Sequence, residues 1–449
     1  MGKYFGTDGF RGEANINLTV EHAYKVGRYI GWYFNQKSSS RAKIVIGKDT
    51  RRSSYMFENA LVAGLTASGA DAYMLYVTTT PSVAYVVRTE QFDCGIMISA
   101  SHNPYYDNGI KLINAKGHKM EAEVENEIEA YIDGEIHEIP FATKKEIGRA
   151  KDYAAGRNHY IGYLISTAIR SFKGVKVGLD CSNGSSFAIA ENVFKALGAE
   201  THVINNEPDG TNINTNCGST HIEILQGYVK ENHLDVGFAY DGDADRLMAV
   251  DRNGNIIDGD KIIAVLALLM KKKGHLKGNK VVTTVMSNMG LENYLKENGI
   301  ELLRANVGDR YVLEKMIASE AAIGGEQSGH IILLEHATTG DGVLTSLKLV
   351  EALRDEKKYI DEMVKDIKDW PQKLINVTVD NKKKNIWNQN KNITDFISLK
   401  EKEMEGLGRV LVRTSGTEPL VRVMVEGKDM SVVEKVVNEI AEIVKKELA

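Results

Sequence analysis

The chain has 449 residues, 43% hydrophobic and 26% charged, with 56 Lys and Arg against 61 Asp and Glu for a net charge of −5. At roughly 100–200 residues per domain this length predicts three or four domains with a sizeable core. The mildly acidic balance argues against a nucleic-acid partner, which asks for concentrated basic surface, but it leaves room for a local Arg/Lys cluster to hold an anionic small molecule.

Cys94, Cys181 and Cys217 are far apart with no C-x-x-C spacing, which predicts free thiols in a reducing cytoplasm. MGKYFGTDGFRG has no apolar run or cleavage pattern, so no signal peptide is expected. The longest apolar stretch, Ile262 to Met270, is too short to span a bilayer.

Along the chain, strand-like and helix-like runs alternate. Ala42 to Gly47 reads as a strand, Tyr55 to Ser68 as a helix, and Asp71 to Val77 and Cys94 to Ser99 as strands. The pattern restarts after Lys151: a helix through Ile169, strands at Val175 to Asp180 and Glu200 to Ile204, then Leu234 to Ala239 running into an acidic loop. A third round holds the helix Asp260 to Lys272, the strand Lys280 to Val285 and a loop at Gly324 to His330. This alternation predicts crossover units and mostly parallel or mixed sheets. Trp370-Pro371 marks a boundary. Beyond it, Ile375 to Val379, Gly408 to Val412 and Leu420 to Glu426 read as strands and Met430 to Leu448 as a helix, a small α+β domain. The Asn/Lys-rich stretch from Asp380 to Asn392 reads as a solvated loop or helix face.

Four loops carry chemistry. Asp241-Gly-Asp243-Ala-Asp245-Arg246 puts three carboxylates at alternate positions after a strand, a hard-oxygen set suited to Mg²⁺. It is no EF-hand, because Arg246 and Arg252 stand where Gly and Glu are required. The bland alternative is an acidic surface turn. Ser99-Ala-Ser101-His102-Asn103-Pro104 lies at the C-terminal end of a strand, where open α/β sheets bind ligands. Ser101 reads either as a nucleophile or as a capping serine in an Asn-Pro turn. The glycines of G-x-S-x-G are missing, and adjacent side chains at 101 and 102 are expected to diverge, so no serine–histidine pair is read. Lys111 reads as a surface lysine, or as a proton acceptor if a nearby metal lowers its pKa. Arg413-Thr-Ser415-Gly416-Thr417 with Arg422 offers hydroxyls, backbone N–H groups and guanidinium donors for phosphate, or is a plain hairpin connection. Gly325-Glu326-Gln327-Ser328-Gly329-His330 suits sugar hydroxyls or is an ordinary polar loop; it is no P-loop.

Taken in order, these loops resemble those of the α-D-phosphohexomutase superfamily. The closest stretches are Tyr4 to Gly12, Ile98 to Lys111, Val307 to Met316, Thr338 to Gly342 and Arg413 to Gly427, and overall the chain most resembles the glucosamine branch. The resemblance implies an α/β protein of four domains around a central cleft: three related α/β domains with mixed sheets (1–150, 151–250 and 251–368) and a smaller C-terminal α+β domain (369–449). It implies that Ser101 is carried as phosphoserine and that Asp241, Asp243 and Asp245 bind Mg²⁺ with a phosphoserine oxygen. Lys111 and His330 would transfer protons, with Arg11 and Arg246 near the transferring phosphate. Glu326 and Ser328 would hold sugar hydroxyls, and Arg413, Ser415, Gly416, Thr417 and Arg422 the phosphate that is not reacting.

The implied reaction interconverts glucosamine 6-phosphate and glucosamine 1-phosphate through a hexosamine 1,6-bisphosphate, for UDP-N-acetylglucosamine and peptidoglycan precursors. A hexose 1,6-bisphosphate would also act as activator. The alternative is the same chemistry on mannose or glucose phosphates. The implied protein is a cytoplasmic monomer or homodimer whose partner is a phosphosugar, with no nucleic acid and no membrane. Two rivals use the same residues: a phosphatase, which has no need of a second phosphate loop, and a dead sugar-phosphate sensor. One departure stands out. The metal loop is more often D-G-D-G-D-R, and Ala244 replaces its second glycine, which strains the loop if that residue sits at positive φ.

Overall fold

The computed structural model describes residues 2–136, 138–380, 383–414 and 419–448. It divides into two compact units, 1–286 with 299–365, and 287–298 with 366–449.

The larger unit contains three sheets. The first runs Phe5–Gly6, Gly9–Glu13, Asp107–Asn114, Cys94–Ile98, Lys43–Lys48, Asp71–Val77, Ala150–Asp152. The second runs Ile256–Ile257, Leu247–Asp251, Val236–Tyr240, Lys176–Asp180, Glu200–Ile204, and the third Glu301–Ala305, Lys280–Thr284, Ile323–Gly325, Ile331–Leu333. Their centres are parallel: Lys43–Lys48 pairs in parallel with Asp71–Val77 and Cys94–Ile98. Every residue of Cys94–Ile98 and Val236–Tyr240 is buried, as parallel strands covered on both faces require.

The same motif recurs in all three sheets. A parallel strand turns back at its C-terminal end into an antiparallel neighbour: Cys94–Ile98 into Asp107–Asn114, Val236–Tyr240 into Leu247–Asp251, and Ile323–Gly325 into Ile331–Leu333. The three reversing loops are those of Ser101, of the aspartates, and of Glu326 to His330. The repeated architecture is thus topological, with the chemistry placed at one equivalent connection in each round, at the strand ends that bind ligands in α/β sheets.

The smaller unit is an antiparallel sheet, Gln372–Thr378, Leu420–Gly427, Gly408–Thr414. One face of it packs with the helices Lys391–Glu403 and Met430–Leu448 around Val377, Val423, Val425, Ile393, Val437 and Ile440. The helix Met289–Glu297 also belongs to this unit, where Met289 N donates to Glu426 Oε1 at 2.8 Å. That helix lies far ahead of Trp370-Pro371 in the chain. The Asn/Lys stretch includes a 3₁₀ turn, Lys384–Gln389. No helix among the described residues is long and apolar enough to cross a membrane.

Candidate active site

The serine and aspartate loops meet. Ser101 is buried and its Oγ donates to Asp241 Oδ2 at 2.5 Å. The Asp241, Asp243 and Asp245 carboxylates converge within 4.8 Å of one another, and all three residues are buried. Three buried like charges repel strongly unless compensated. Burial, Asp245 and Asp243 together push Asp241 well above the usual carboxylate range, while Asp243 Oδ1 and Asp245 Oδ1 are buried and accept no hydrogen bond among the described residues. Convergent carboxylate oxygens with spare lone pairs fit a hard divalent cation, and the acidic-surface-turn reading fails because all three carboxylates are buried.

Lys111 supplies part of the compensation. It is 4% exposed, on the strand Asp107–Asn114, and its Nζ lies 2.7 Å from Asp243 Oδ2, 3.3 Å from Asp245 Oδ2 and 3.2 Å from Asp8 Oδ2. Burial alone would depress the ammonium, but Asp243, Asp245 and Asp8 outweigh it and hold Lys111 protonated well above its ordinary range. This corrects the surface reading of Lys111, which is buried among three carboxylates.

His330 is buried beside Asp245, with Nδ1 3.8 Å from Asp245 Oδ2. The carboxylates around it push its pKa up to about 9 against the opposing effect of burial. Its Nε2, however, accepts from the Gly340 backbone N–H at 2.9 Å, which only a ring unprotonated at Nε2 can do. The amide is fixed by the chain, so the geometry holds the neutral ring with its proton on Nδ1, toward Asp245. Gly340 lies close by necessity: a Cβ there would sit 2.7 Å from the His330 ring and 2.5 Å from Asp245 O.

Arg246 bridges in antiparallel register with His330, tying the aspartate and sugar loops together, and Leu247 N donates to Gly329 O at 3.0 Å. Arg11, on Gly9–Glu13, donates to Asp8. Glu326 is half-buried and accepts from Gly308 N at 3.2 Å, and Ser328 is exposed at 3.5 Å from Glu326 Oε2. Ser101 Oγ and His102 Nδ1 lie 3.4 Å apart, so these side chains do not diverge as expected. The contact is long, and burial with Arg246 and Arg11 pushes His102 down to about 4. Ala244 sits at φ 56°, so the strained case for the metal loop applies.

In the smaller unit, Arg413 and Arg422 are half-buried and directly opposed on antiparallel strands. Like charges opposed across a ladder are unfavourable without a shared anion, and burial with Arg422 lowers the Arg413 pKa. Ser415, Gly416 and Thr417 lie outside the described residues.

The structure adds residues that motif reading did not assign. Asp8 receives Lys111, Lys119 and Arg11. Lys119 also reaches Asp309 Oδ1 at 2.6 Å. Thr80 donates to Asp243 Oδ2 at 2.5 Å and its N–H to Asp243 O at 3.0 Å. Asp8 lies within Tyr4 to Gly12, a stretch that carries the family resemblance. Thr80 follows the C-terminal end of Asp71–Val77, the sheet edge where ligand-bearing residues are expected.

Comparison with known proteins places this geometry. The phosphoglucomutase/phosphomannomutase domains match in order: alpha/beta/alpha domain I at 2–138, domain II at 158–254, domain III at 258–369 and the C-terminal domain at 374–443. The chain belongs to the phosphoglucomutase/phosphomannomutase family. Within that family it is 59% identical over 449 residues to a phosphoglucosamine mutase of Lachnospira eligens, covering 99% of each chain. The fold matches a phosphoglucomutase/phosphomannomutase family protein of Burkholderia thailandensis with TM-score 0.82 at 21% identity, covering 99% of this chain and 98% of that one. It also matches Aspergillus fumigatus N-acetylphosphoglucosamine mutase, solved with GlcNAc-6P and magnesium, with TM-score 0.71 at 18% identity over 99% and 96% of the two chains.

Proposed function

We propose that this family member interconverts glucosamine 6-phosphate and glucosamine 1-phosphate through a phosphoserine at Ser101. The observation that carries the chemistry is the buried Ser101 Oγ, 2.5 Å from Asp241 at the head of a convergent aspartate triad. The choice of sugar rests on the 59% identity to a phosphoglucosamine mutase across the whole chain.

Asp241, Asp243 and Asp245 would hold Mg²⁺, a metal present in the complex of the Aspergillus relative; when bound, the ion would supply neutralisation of charge on the transferring phosphoryl group. The chain's own residues do the rest. The phosphoserine P–O bond breaks as a P–O bond forms to the free sugar hydroxyl, giving a hexosamine 1,6-bisphosphate. The sugar hydroxyl gives up its proton as its bond to phosphorus forms and the leaving Ser101 Oγ ends protonated, so one proton passes from the sugar oxygen to the serine oxygen. Lys111 and His330 are the candidates for moving that proton: Lys111 lies among Asp8, Asp243 and Asp245 and His330 beside Asp245. Glu326 and Ser328 hold sugar hydroxyls, while Arg11 and Arg246 face the transferring phosphate. The bisphosphate then turns end for end, and Ser101 takes back the other phosphoryl group. Arg413 and Arg422, with Ser415, Gly416 and Thr417, hold the far phosphate in both orientations. Excluding water keeps the phosphoenzyme from hydrolysis.

Ser101→Ala tests this directly. The variant is expected to lose turnover and to take up no phosphoryl group from glucose 1,6-bisphosphate by intact mass. Full mutase rate without Ser101 would overturn the mechanism.

A further inference from the structure

Ser101 sits at φ 54°, in the left-handed region that a non-glycine residue enters only with strain. Its loop therefore needs external support. The backbone N–H of Ser101 is held by Ser99 Oγ at 2.9 Å, and the carbonyl side is held by two side chains from separate loops, one after Lys43–Lys48 and one after Glu200–Ile204.

Arg51, fully buried just after the strand Lys43–Lys48, donates from Nη2 to Ser101 O at 3.1 Å and Asn103 O at 2.6 Å. Asn214, 6% exposed, donates from Nδ2 to the same two oxygens at 2.8 and 3.0 Å. Both lone pairs of the Ser101 carbonyl are thereby used. Each donor is itself fixed: Arg51 N donates to Asp49 Oδ1 at 3.0 Å and Nη1 pairs with Asp49 Oδ2, and Asn214 N donates to Ser182 O at 2.9 Å. Gly242 closes the third side, where a Cβ would lie 2.5 Å from Ser101 O.

We propose that Arg51 and Asn214 are positioning residues, a two-sided clamp on the Ser101 and Asn103 carbonyls that keeps Ser101 Oγ aimed at Asp241. The inference rests on the phosphoserine reading above. Neither clamp contact falls on the reacting Oγ. The clamp acts through the backbone, on an atom that must both give up and take back a phosphoryl group in one turnover. Misplacement by about 1 Å can cost on the order of 100-fold in rate. Loosening the clamp therefore lowers kcat and leaves substrate binding nearly intact.

The test uses the full chain with Asn214→Ala, Asn214→Asp and Arg51→Lys, the last keeping the charge but not the two-pronged reach. Amide exchange across 99–104 is expected to quicken by about tenfold or more in each, with the strand Asp71–Val77 unchanged. kcat for the mutase reaction is expected to fall roughly 10- to 100-fold with KM within about threefold. At pH 8, Asn214→Asp is expected to exchange at least as fast as Asn214→Ala, because an ionised carboxylate repels the two carbonyls; a purely space-filling role predicts the reverse. Unchanged exchange at 99–104, loss of protection spread evenly over the chain, or a KM rise at constant kcat would each overturn the clamp. If the wild-type protein neither turns over nor takes up phosphoryl from glucose 1,6-bisphosphate, the mutase reading fails, while the exchange measurement still decides the clamp.

Discussion

Lys111→Met replaces an ammonium within 3.3 Å of both Asp243 and Asp245 with an uncharged side chain of similar length. Removing one partner of a buried ion pair leaves the other charge uncompensated and costs about 3–5 kcal/mol. The larger unit, of about 350 residues, unfolds with roughly 0.7 kcal/mol/K of entropy at about 2.1 cal/mol/K per residue. The expected fall in the midpoint of its transition is therefore about 4–7 °C in EDTA, read by scanning calorimetry. Mg²⁺ then has more charge left to neutralise. It is expected to raise the variant's midpoint by more than the wild type's, following the mass-action stabilisation of about 2.7 kcal/mol at a hundredfold excess over Kd. A fall of less than about 1 °C in EDTA, with the same Mg²⁺ response in both proteins, would refute the argument that Lys111 compensates ionised aspartates.

Three further predictions follow from local geometry. Asp341 caps the helix Gly342–Glu356 and accepts from Tyr160, and burial pushes its pKa up to about 6 from 3.8. A raised folded-state pKa stabilises the fold below the unfolded value and loses that contribution as pH rises through about 6. Asp341→Asn is therefore expected to gain on the wild type by up to about 3 kcal/mol between pH 4 and 7, at about 1.4 kcal/mol per unit, in paired urea titrations. A constant difference across that range would contradict it. Ala244→Gly relieves about 1 kcal/mol of left-handed strain but loses one buried methyl, about 0.8 kcal/mol, and adds freedom to the unfolded chain. Stability is expected to change by under about 1 kcal/mol with Mg²⁺ affinity retained by calorimetry, and a loss of binding would show that the methyl matters to the loop. Gly340→Ala drives a Cβ into the His330 ring and Asp245 O, so mutase kcat is expected to fall at least about tenfold; an unchanged rate would remove His330 orientation from the mechanism.

Much of this was legible in the sequence because it is local. The strands Asp71–Val77 and Glu200–Ile204 and the final helix Met430–Leu448 follow the boundaries set by periodicity and turn residues. The aspartate loop announces itself through charge density directly after an apolar strand. Long-range features were hidden. Lys111 read alone as a surface lysine, because only the fold brings Asp8, Asp243 and Asp245 around it. The assignment of Met289–Glu297 to the smaller unit depends on contacts more than 100 residues away, such as Met289 with Glu426. The positive φ at Ala244 cannot be read from a residue that ordinarily avoids it. The equivalence of the three reversing loops is one of strand order, with no repeat of residues to reveal it.

The central claim is tested most directly by comparing kcat/KM of the phosphorylated protein, with Mg²⁺ and a trace of hexose 1,6-bisphosphate, for glucosamine 1-phosphate, glucose 1-phosphate and mannose 1-phosphate in one assay. A clear lead for glucosamine 1-phosphate is the predicted result. A lead for glucose or mannose 1-phosphate would contradict the assigned sugar, and free phosphate with no isomer formed would contradict the mutase itself.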